Sequence, residues 1–381
     1  MKAVASDVLV VGGGIVGSSA AFFLRQRGRS VTLLERGLVG QQASGVNFGN
    51  IRRQGRPLEH LALSNRASAT WRRMNELVGE DIEHIAEGHI RVCYRDRPEI
   101  LDDFVSYAKE ARIRGLDLEV VSGTALRQRF PFFGPEVLGG SYSPLDGHAN
   151  PRLAAPALAR AARRNGATVV ENCEILHVEK NGDDFCVTSS DGRTFRAPAL
   201  LVTAGAWSSR FATQFGEPVP LTSHGPTMCV TEPVPYSIHC AVGVVSPVKE
   251  EDLYFRQIPR GNIIIGGGLR NPSYPDVCRA YVMPRNTLNQ FRQIRRLAPE
   301  LKRLHIIRVW TGVEGYLPDS QPIIGPSRTT SGLYYAFGFS GAGFQIGPGA
   351  GDVMAELIAT GQTTTPIDVF DINRSAISTT S

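Results

Sequence analysis

Residues 7–17, DVLVVGGGIVG, constrain this chain more than any other stretch. Asp7 opens a strand whose next four residues, 8–11, are an unbroken apolar run, and glycines stand at 12, 14 and 17. Residues 18–27 (SSAAFFLRQR) read as a helix with small residues along one side, and a second apolar run over 30–34 ends at Glu35. This order is the strand–turn–helix–strand unit that holds a dinucleotide's pyrophosphate. Gly12 permits the tight turn, Gly14 lets the backbone approach the phosphates, and Gly17 lets helix and strand pack closely. The phosphates then rest on the helix N-terminus, where free N–H groups and the helix dipole favour anions. Glu35 is placed to accept hydrogen bonds from a ribose, which favours an unphosphorylated one, as in NAD or FAD. The turn by itself leaves those two open.

A chain of 381 residues has room for two domains or one large elaborated one. Its net charge of +5 comes from arginines spread along the chain, so no basic run points to nucleic acid. Six cysteines are scattered without a CxxC pair, which argues against a disulfide framework and against a zinc or iron–sulfur site in this chain. No metal site is expected. The first strand begins too early to leave room for a signal peptide, and no apolar stretch reaches membrane-spanning length, so the expected compartment is the cytoplasm.

Further along, residues 36–56 read as an extended glycine-rich loop and residues 57–78 as a helix. Asn181-Gly182 and Asp191-Gly192 are hairpin turns between short strands. A last helix is expected over 351–359, and the polar tail after Thr360 reads as disordered.

Three later stretches decide between the two dinucleotides: ENCEILHV at 171–178, LLVTAGAWSS at 200–209, and GLYYAFGFSGAGFQIGPGAGDVMAELI at 332–358. With VGGGIVG at the other end, they make the chain similar, over essentially its whole length, to the D-amino-acid oxidase-like family of FAD enzymes. The resemblance implies an α/β fold. A Rossmann-like FAD-binding domain of the glutathione-reductase type (residues 1–85, 145–220 and 305–381) would be interrupted by an antiparallel β-sheet-rich α+β substrate domain (86–144 and 221–304). It implies an elongated FAD. Gly12, Gly14 and Gly17 would hold its pyrophosphate and Glu35 its adenosine ribose, with Ile15 and Arg36 also among the cofactor-binding residues. Ser44, Asn47 and Gly49 would run beside the pyrophosphate and flavin. Ile175 would meet adenine, with Ala204 and Gly205 lining the dinucleotide. Gly338, Gly341, Gly343, Phe344 and Gln345 would pass the isoalloxazine, with Gly312 also on the cofactor side. A helix beginning near Gly349 would aim its N-terminus at the flavin. The cofactor is expected to be non-covalent. Neither 41–53 nor 334–351 contains histidine or cysteine, and His60 and His148, the nearest by sequence, read as ordinary histidines.

Members of this family oxidise a C–N bond: a neutral amine loses hydride to flavin N5 and water hydrolyses the imine. The resemblance therefore assigns no dedicated catalytic side chain. Many members acting on simple amino acids carry an arginine where this chain, reading WTGVEGYLPDSQPIIG from Trp310, has Glu314. In this it resembles the FAD-binding beta-type subunits of hetero-oligomeric sarcosine, proline, opine and D-hydroxyproline dehydrogenases. That implies an amino-acid-type secondary amine as substrate. An opine such as octopine or nopaline is favoured, with proline, D-hydroxyproline or sarcosine open. It also implies partner subunits carrying an electron relay such as an iron–sulfur cluster. Arg256 and Arg270 are the candidate carboxylate ligands, with Arg52 and Arg53 as alternatives. Tyr254 is a candidate hydrogen-bonding group, and Glu314 a candidate partner for a cationic substrate group. Each also has a plainer reading, as a solvated strand arginine, a buried sheet tyrosine or a solvent-facing acid. The alternatives are a stand-alone D-amino-acid or glycine oxidase and a non-catalytic FAD-binding scaffold subunit.

Overall fold

The computed structural model describes residues 4–377. The strand Val8–Val11 lies in the middle of a six-stranded sheet, between Val31–Leu34 and Ala199–Val202, and runs parallel to both. Thr168–Val170 extends the sheet on one side; Leu333–Phe337 and the antiparallel edge strand Ile323–Pro326 extend it on the other. Both faces are covered, which is why the run is apolar throughout. Val8 and Val10 pack into a core built with the helices Ile15–Gln26, Pro151–Arg164 and Gly343–Thr360. Leu9 and Val11 face the opposite way, into a core shared with Phe185, Val187 and Phe195 of a four-stranded sheet.

The last helix starts at Gly343, eight residues before the position expected from sequence. Four glycines and Pro348 in its first half conceal it, because each disfavours a helix taken alone. Packing reverses that preference. A Cβ at Gly347 would stand 2.6 Å from the Ile15 side chain, one at Gly349 2.8 Å from Ala67, and one at Gly351 2.6 Å from Ser19. The small residues let three helices approach closely, and Ser19 Oγ donates to the Pro348 carbonyl at 3.0 Å. The tail also departs from expectation. Phe370, Ile372 and Ile377 are buried, and Arg374 pairs with Asp319 at 2.6 Å. Those few apolar anchors outweigh the polar composition around them; residues 378–381 lie outside the described ones.

The second body is an eight-stranded, mostly antiparallel sheet. Its order is Ile306–Thr311, Thr227–Pro233, Asn262–Gly267, Leu253–Gln257, Ala241–Val244, His89–Tyr94, Val137–Ser143 and Glu119–Ser122. Side chains alternate between its faces. Ile90, Val92, Val242, Val244, Leu253, Phe255, Ile263 and Ile265 point into a core closed by Ile294 and Leu297 of the helix Pro284–Leu297. The residues between them face the first body. A small four-stranded sheet carrying Thr222–Gly225 and Glu314–Tyr316 closes one end of the gap.

Candidate active site

One cleft runs from the glycine turn at the end of Val8–Val11 to the open face of the eight-stranded sheet. At the turn, Gly12 has φ +109°, and a Cβ there would lie 2.5 Å from the Thr203 carbonyl oxygen. Gly14 caps the helix Ile15–Gln26 without a side-chain hydrogen bond. Ser44 Oγ accepts from Ile15 N at 2.9 Å from across the cleft wall. Glu35 accepts from the backbone N–H of Gly13 at 2.7 Å and of Gly37 at 2.8 Å, so its carboxylate is fixed beside the turn. Arg36 lies over the Trp207 ring at 4.3 Å, and both residues line the cleft.

Of the residues expected at the dinucleotide, Gly12, Gly14, Ile15, Glu35, Arg36, Ser44, Asn47, Ile175, Ala204, Gly205, Gly338, Gly341, Gly343, Phe344 and Gln345 all line this one cleft. Gly17, Gly49 and Gly312 do not, and each meets a different demand. A Cβ on Gly17 would stand 2.0 Å from the Gly12 carbonyl oxygen, so its place is in helix–turn packing. One on Gly49 would stand 2.3 Å from the Ala149 carbonyl oxygen, and one on Gly312 2.1 Å from the Val46 side chain. The helix Gly343–Thr360 begins at the cleft wall, with no side-chain cap on its first N–H groups. A helix start at each end of the loop system, a glycine cradle and an acid beside it suit a dinucleotide with a flavin at the far end. Gln345 Oε1 and Asn50 Oδ1, on residues lining the same wall, are buried without a hydrogen-bond partner.

The substrate side is built from one row across the eight-stranded sheet. Arg91 sits beside Gly243, Gly243 beside Tyr254, Tyr254 beside Gly266, and Gly266 beside Met228. All five are on the face away from the sheet's own core, and Gly243 leaves the floor open between Arg91 and Tyr254. The Tyr254 ring lies over Gly266, where a Cβ would come within 2.1 Å of it, and meets Phe48 edge-on at 4.7 Å. Opposite, Tyr316 donates to Glu314 Oε2 at 2.6 Å, and the Arg270 guanidinium stacks on the Tyr316 ring at 3.7 Å. Burial pushes the Glu314 carboxyl up from its ordinary range, against the opposing pull of the Tyr316 hydroxyl and Arg270. Burial raises the Tyr254 and Tyr316 hydroxyls as well. His89 is held neutral by burial and by the positive charge of Arg52 and Arg91.

Tyr254, Arg270 and Glu314 thus share the cleft, whereas Arg256 does not line it. Arg256 shares a strand face with Tyr254 but is buried further along. It donates to the Phe48 carbonyl at 2.8 Å, lies 3.0 Å from His148 Nδ1, and props the loop that carries Phe48. Arg53 is turned away into a buried pair with Asp146 at 3.0 Å, while Arg52 opens into the cleft. Arg56, Arg91, Asp252 and Tyr316 line the site and were missed. Arg91 carried a signal: it is the one charge in the otherwise buried strand HIRVCY. His60 and His148 lie outside the cleft, with His60 packed on Phe370.

A family model described as FAD dependent oxidoreductase matches residues 7–357. The chain is 27% identical over 97% of each sequence to the glycine oxidase of Geobacillus kaustophilus. It is 26% identical, again over 97% of each, to an opine oxidase subunit of Rhizobium meliloti. Among solved structures, L-proline dehydrogenase from P. horikoshii superposes with a TM-score of 0.89 at 26% identity, covering 97% of this chain and 98% of that one.

Proposed function

Because the chain belongs to the D-amino-acid oxidase family of FAD-dependent oxidoreductases, which act on amines and amino acids, we propose that it oxidises the C–N bond of an amino-acid-type secondary amine. An opine such as octopine or nopaline is the favoured substrate. The observation that carries this reading is the continuity of the cleft: the dinucleotide cradle at Gly12–Gly14 opens directly onto the row Arg91, Gly243 and Tyr254. FAD, when bound non-covalently there, supplies the hydride acceptor. The chain's own residues bind and orient the amine. Arg270, held flat on Tyr316, offers its guanidinium edge to the carboxylate next to the reacting carbon. Positive charge from Arg270, Arg52 and Arg91 disfavours an ammonium and keeps the amine in the neutral form from which hydride is lost. Glu314 faces a cationic end of the substrate, such as an opine guanidinium. The walls formed by Phe48, Met228 and Phe344 keep the reacting carbon out of bulk water.

Similarity to a protein named as an oxidase subunit supports a second element of the reading, that electrons pass to a partner protein carrying a relay such as an iron–sulfur cluster. Among the described residues no helix is long and apolar enough to cross a membrane. The test is anaerobic mixing of the yellow holoprotein with octopine, nopaline, proline, D-hydroxyproline and sarcosine. Loss of flavin absorbance with the opines first is the expected result. No bleaching by any amine or amino acid would sink the reading.

A further inference from the structure

Four guanidinium groups, from Arg52, Arg56, Arg91 and Arg270, enter the substrate end of the cleft, and none forms an ion pair with a described residue. Arg52 donates to the Gln54 carbonyl. Arg56 reaches the Ala342 carbonyl only at 3.5 Å, and its Nε is buried without a partner. The Arg91 side chain makes no hydrogen bond to a described residue, and Gly55 is pressed against it so closely that a Cβ there would fall 1.7 Å from Nη1. Burial and the neighbouring Arg52 push Arg56 and Arg91 down to about 9, so both remain charged at neutral pH. Among the described residues only two carboxyls, Asp252 and Glu314, line the cleft beside these four guanidiniums, and a third, Asp146, acts on Arg52 and Arg56 from behind while already paired with Arg53. The cleft therefore holds an excess of positive charge that its own acids do not match.

Unpaired buried charge is unfavourable, and several like charges together are more so. A planar guanidinium fork is matched by a carboxylate or a phosphate. The cofactor's pyrophosphate belongs to the turn at Gly12–Gly14, at the other end of the cleft. Arg91, by contrast, stands on the open sheet floor beside Gly243, with Arg52 and Arg56 reaching over it from the loop at 52–56. One carboxylate beside the reacting carbon uses Arg270 and leaves these three unmatched. We propose that the substrate carries a second acidic group, a carboxylate or phosphate on the tail remote from the oxidised carbon, seated between Arg52, Arg56 and Arg91. This rests on the reading of the cleft as an amine-oxidising site and, among the substrates open there, selects amines with a second acid, as octopine and nopaline have, over proline, D-hydroxyproline and sarcosine, which have one.

The test separates the two. Calorimetric titration of the FAD-loaded protein with glutarate, 3-phosphonopropionate and butyrate compares diacids with a monoacid of similar length. None carries a C–N bond, so the outcome does not depend on oxidation. At least one diacid is expected to bind about tenfold or more tighter than butyrate, and the better of the two identifies the tail. Arg91→Met should cut that preference to below about twofold, with Arg91→Lys retaining part of it. Should Arg91→Met fail to fold, Arg56→Met is read in the same way. Equal binding of butyrate and both diacids, or a preference untouched by the substitutions, would overturn the proposal. Failure of every amine to bleach the flavin would instead remove the functional reading beneath it.

Discussion

Single residues in this protein are constrained by different demands even when they share an identity. Gly17 and Gly28 are both glycines of the first helix and its exit. A Cβ on Gly17 would strike the Gly12 carbonyl oxygen at 2.0 Å, while Gly28, at φ +78°, has nothing within 4 Å. Gly17→Ala is expected to cost about 3 kcal/mol and to lose FAD, because the turn must move to admit the methyl. Gly28→Ala should cost about 1 kcal/mol, the strain of a left-handed backbone alone, with FAD retained. Thermal melts with visible absorbance of the purified variants check both; equal losses would show that packing at Gly17 is not what the position requires. Glu314 is constrained by chemistry in the proposed reading. Glu314→Gln should abolish any preference for guanidinium-tailed opines over neutral-tailed ones while leaving flavin absorbance intact. A retained preference in the kcat/KM ratio would remove Glu314 from the substrate. Arg256 marks the limit of reading residues from motifs. Strand alternation places it on the same face as Tyr254, and only the fold shows that the loop carrying Phe48 covers it.

Elements were legible where their pattern is local. Val8–Val11 follows from an apolar run ended by glycines, and the helix Ile15–Gln26 from its spacing. The helix Gly343–Thr360 was only half legible, since its glycines disfavour a helix until Ile15, Ser19 and Ala67 are brought against them. That helix is also tied by charge. Arg66 of Leu61–Arg72 binds Asp352 at 2.7 Å and Glu356 at 2.6 Å, and Arg27 adds a second bond to Asp352 at 2.7 Å. Burial would raise the Glu356 carboxyl, but Arg66 and the Thr363 hydroxyl outweigh it and hold the group at about 2, against an ordinary 4.5. A carboxyl depressed in the folded state stabilises above its unfolded value and loses that contribution as pH falls toward the folded value. Glu356→Gln should therefore lower Tm at neutral pH, with the deficit shrinking below pH ~4.5 and vanishing near pH ~2. A deficit independent of pH would show that shape rather than charge couples the two helices.

At the scale of the whole molecule, the cleft is what joins the two sheets. Its walls come from the turn after Val8–Val11, the loop through Ser44 and Phe48, Ile175, the stretch from Thr203 to Trp207, and the Gly338–Gln345 loop on one side. On the other they come from His89, Arg91, Gly243, Tyr254 and Arg270. The order of motifs in the chain made the first set legible, because each is a local signature of backbone approaching a ligand. The second set was largely illegible, because it is a row across strands distant in sequence, and strand register is fixed by tertiary pairing. A ligand that touches both sets stabilises their mutual packing in proportion to its occupancy, by about 4 kcal/mol at a thousandfold excess over Kd. Removing FAD should accordingly lower Tm by several degrees and expose the 36–56 loop to protease, with both effects reversed by FAD and not by NAD. Melting and limited proteolysis of the apoprotein, with and without each dinucleotide, decide it. An apoprotein as stable and as resistant as the loaded one would mean that the two sheets hold together without the cofactor, and that the cleft is preformed by protein contacts alone.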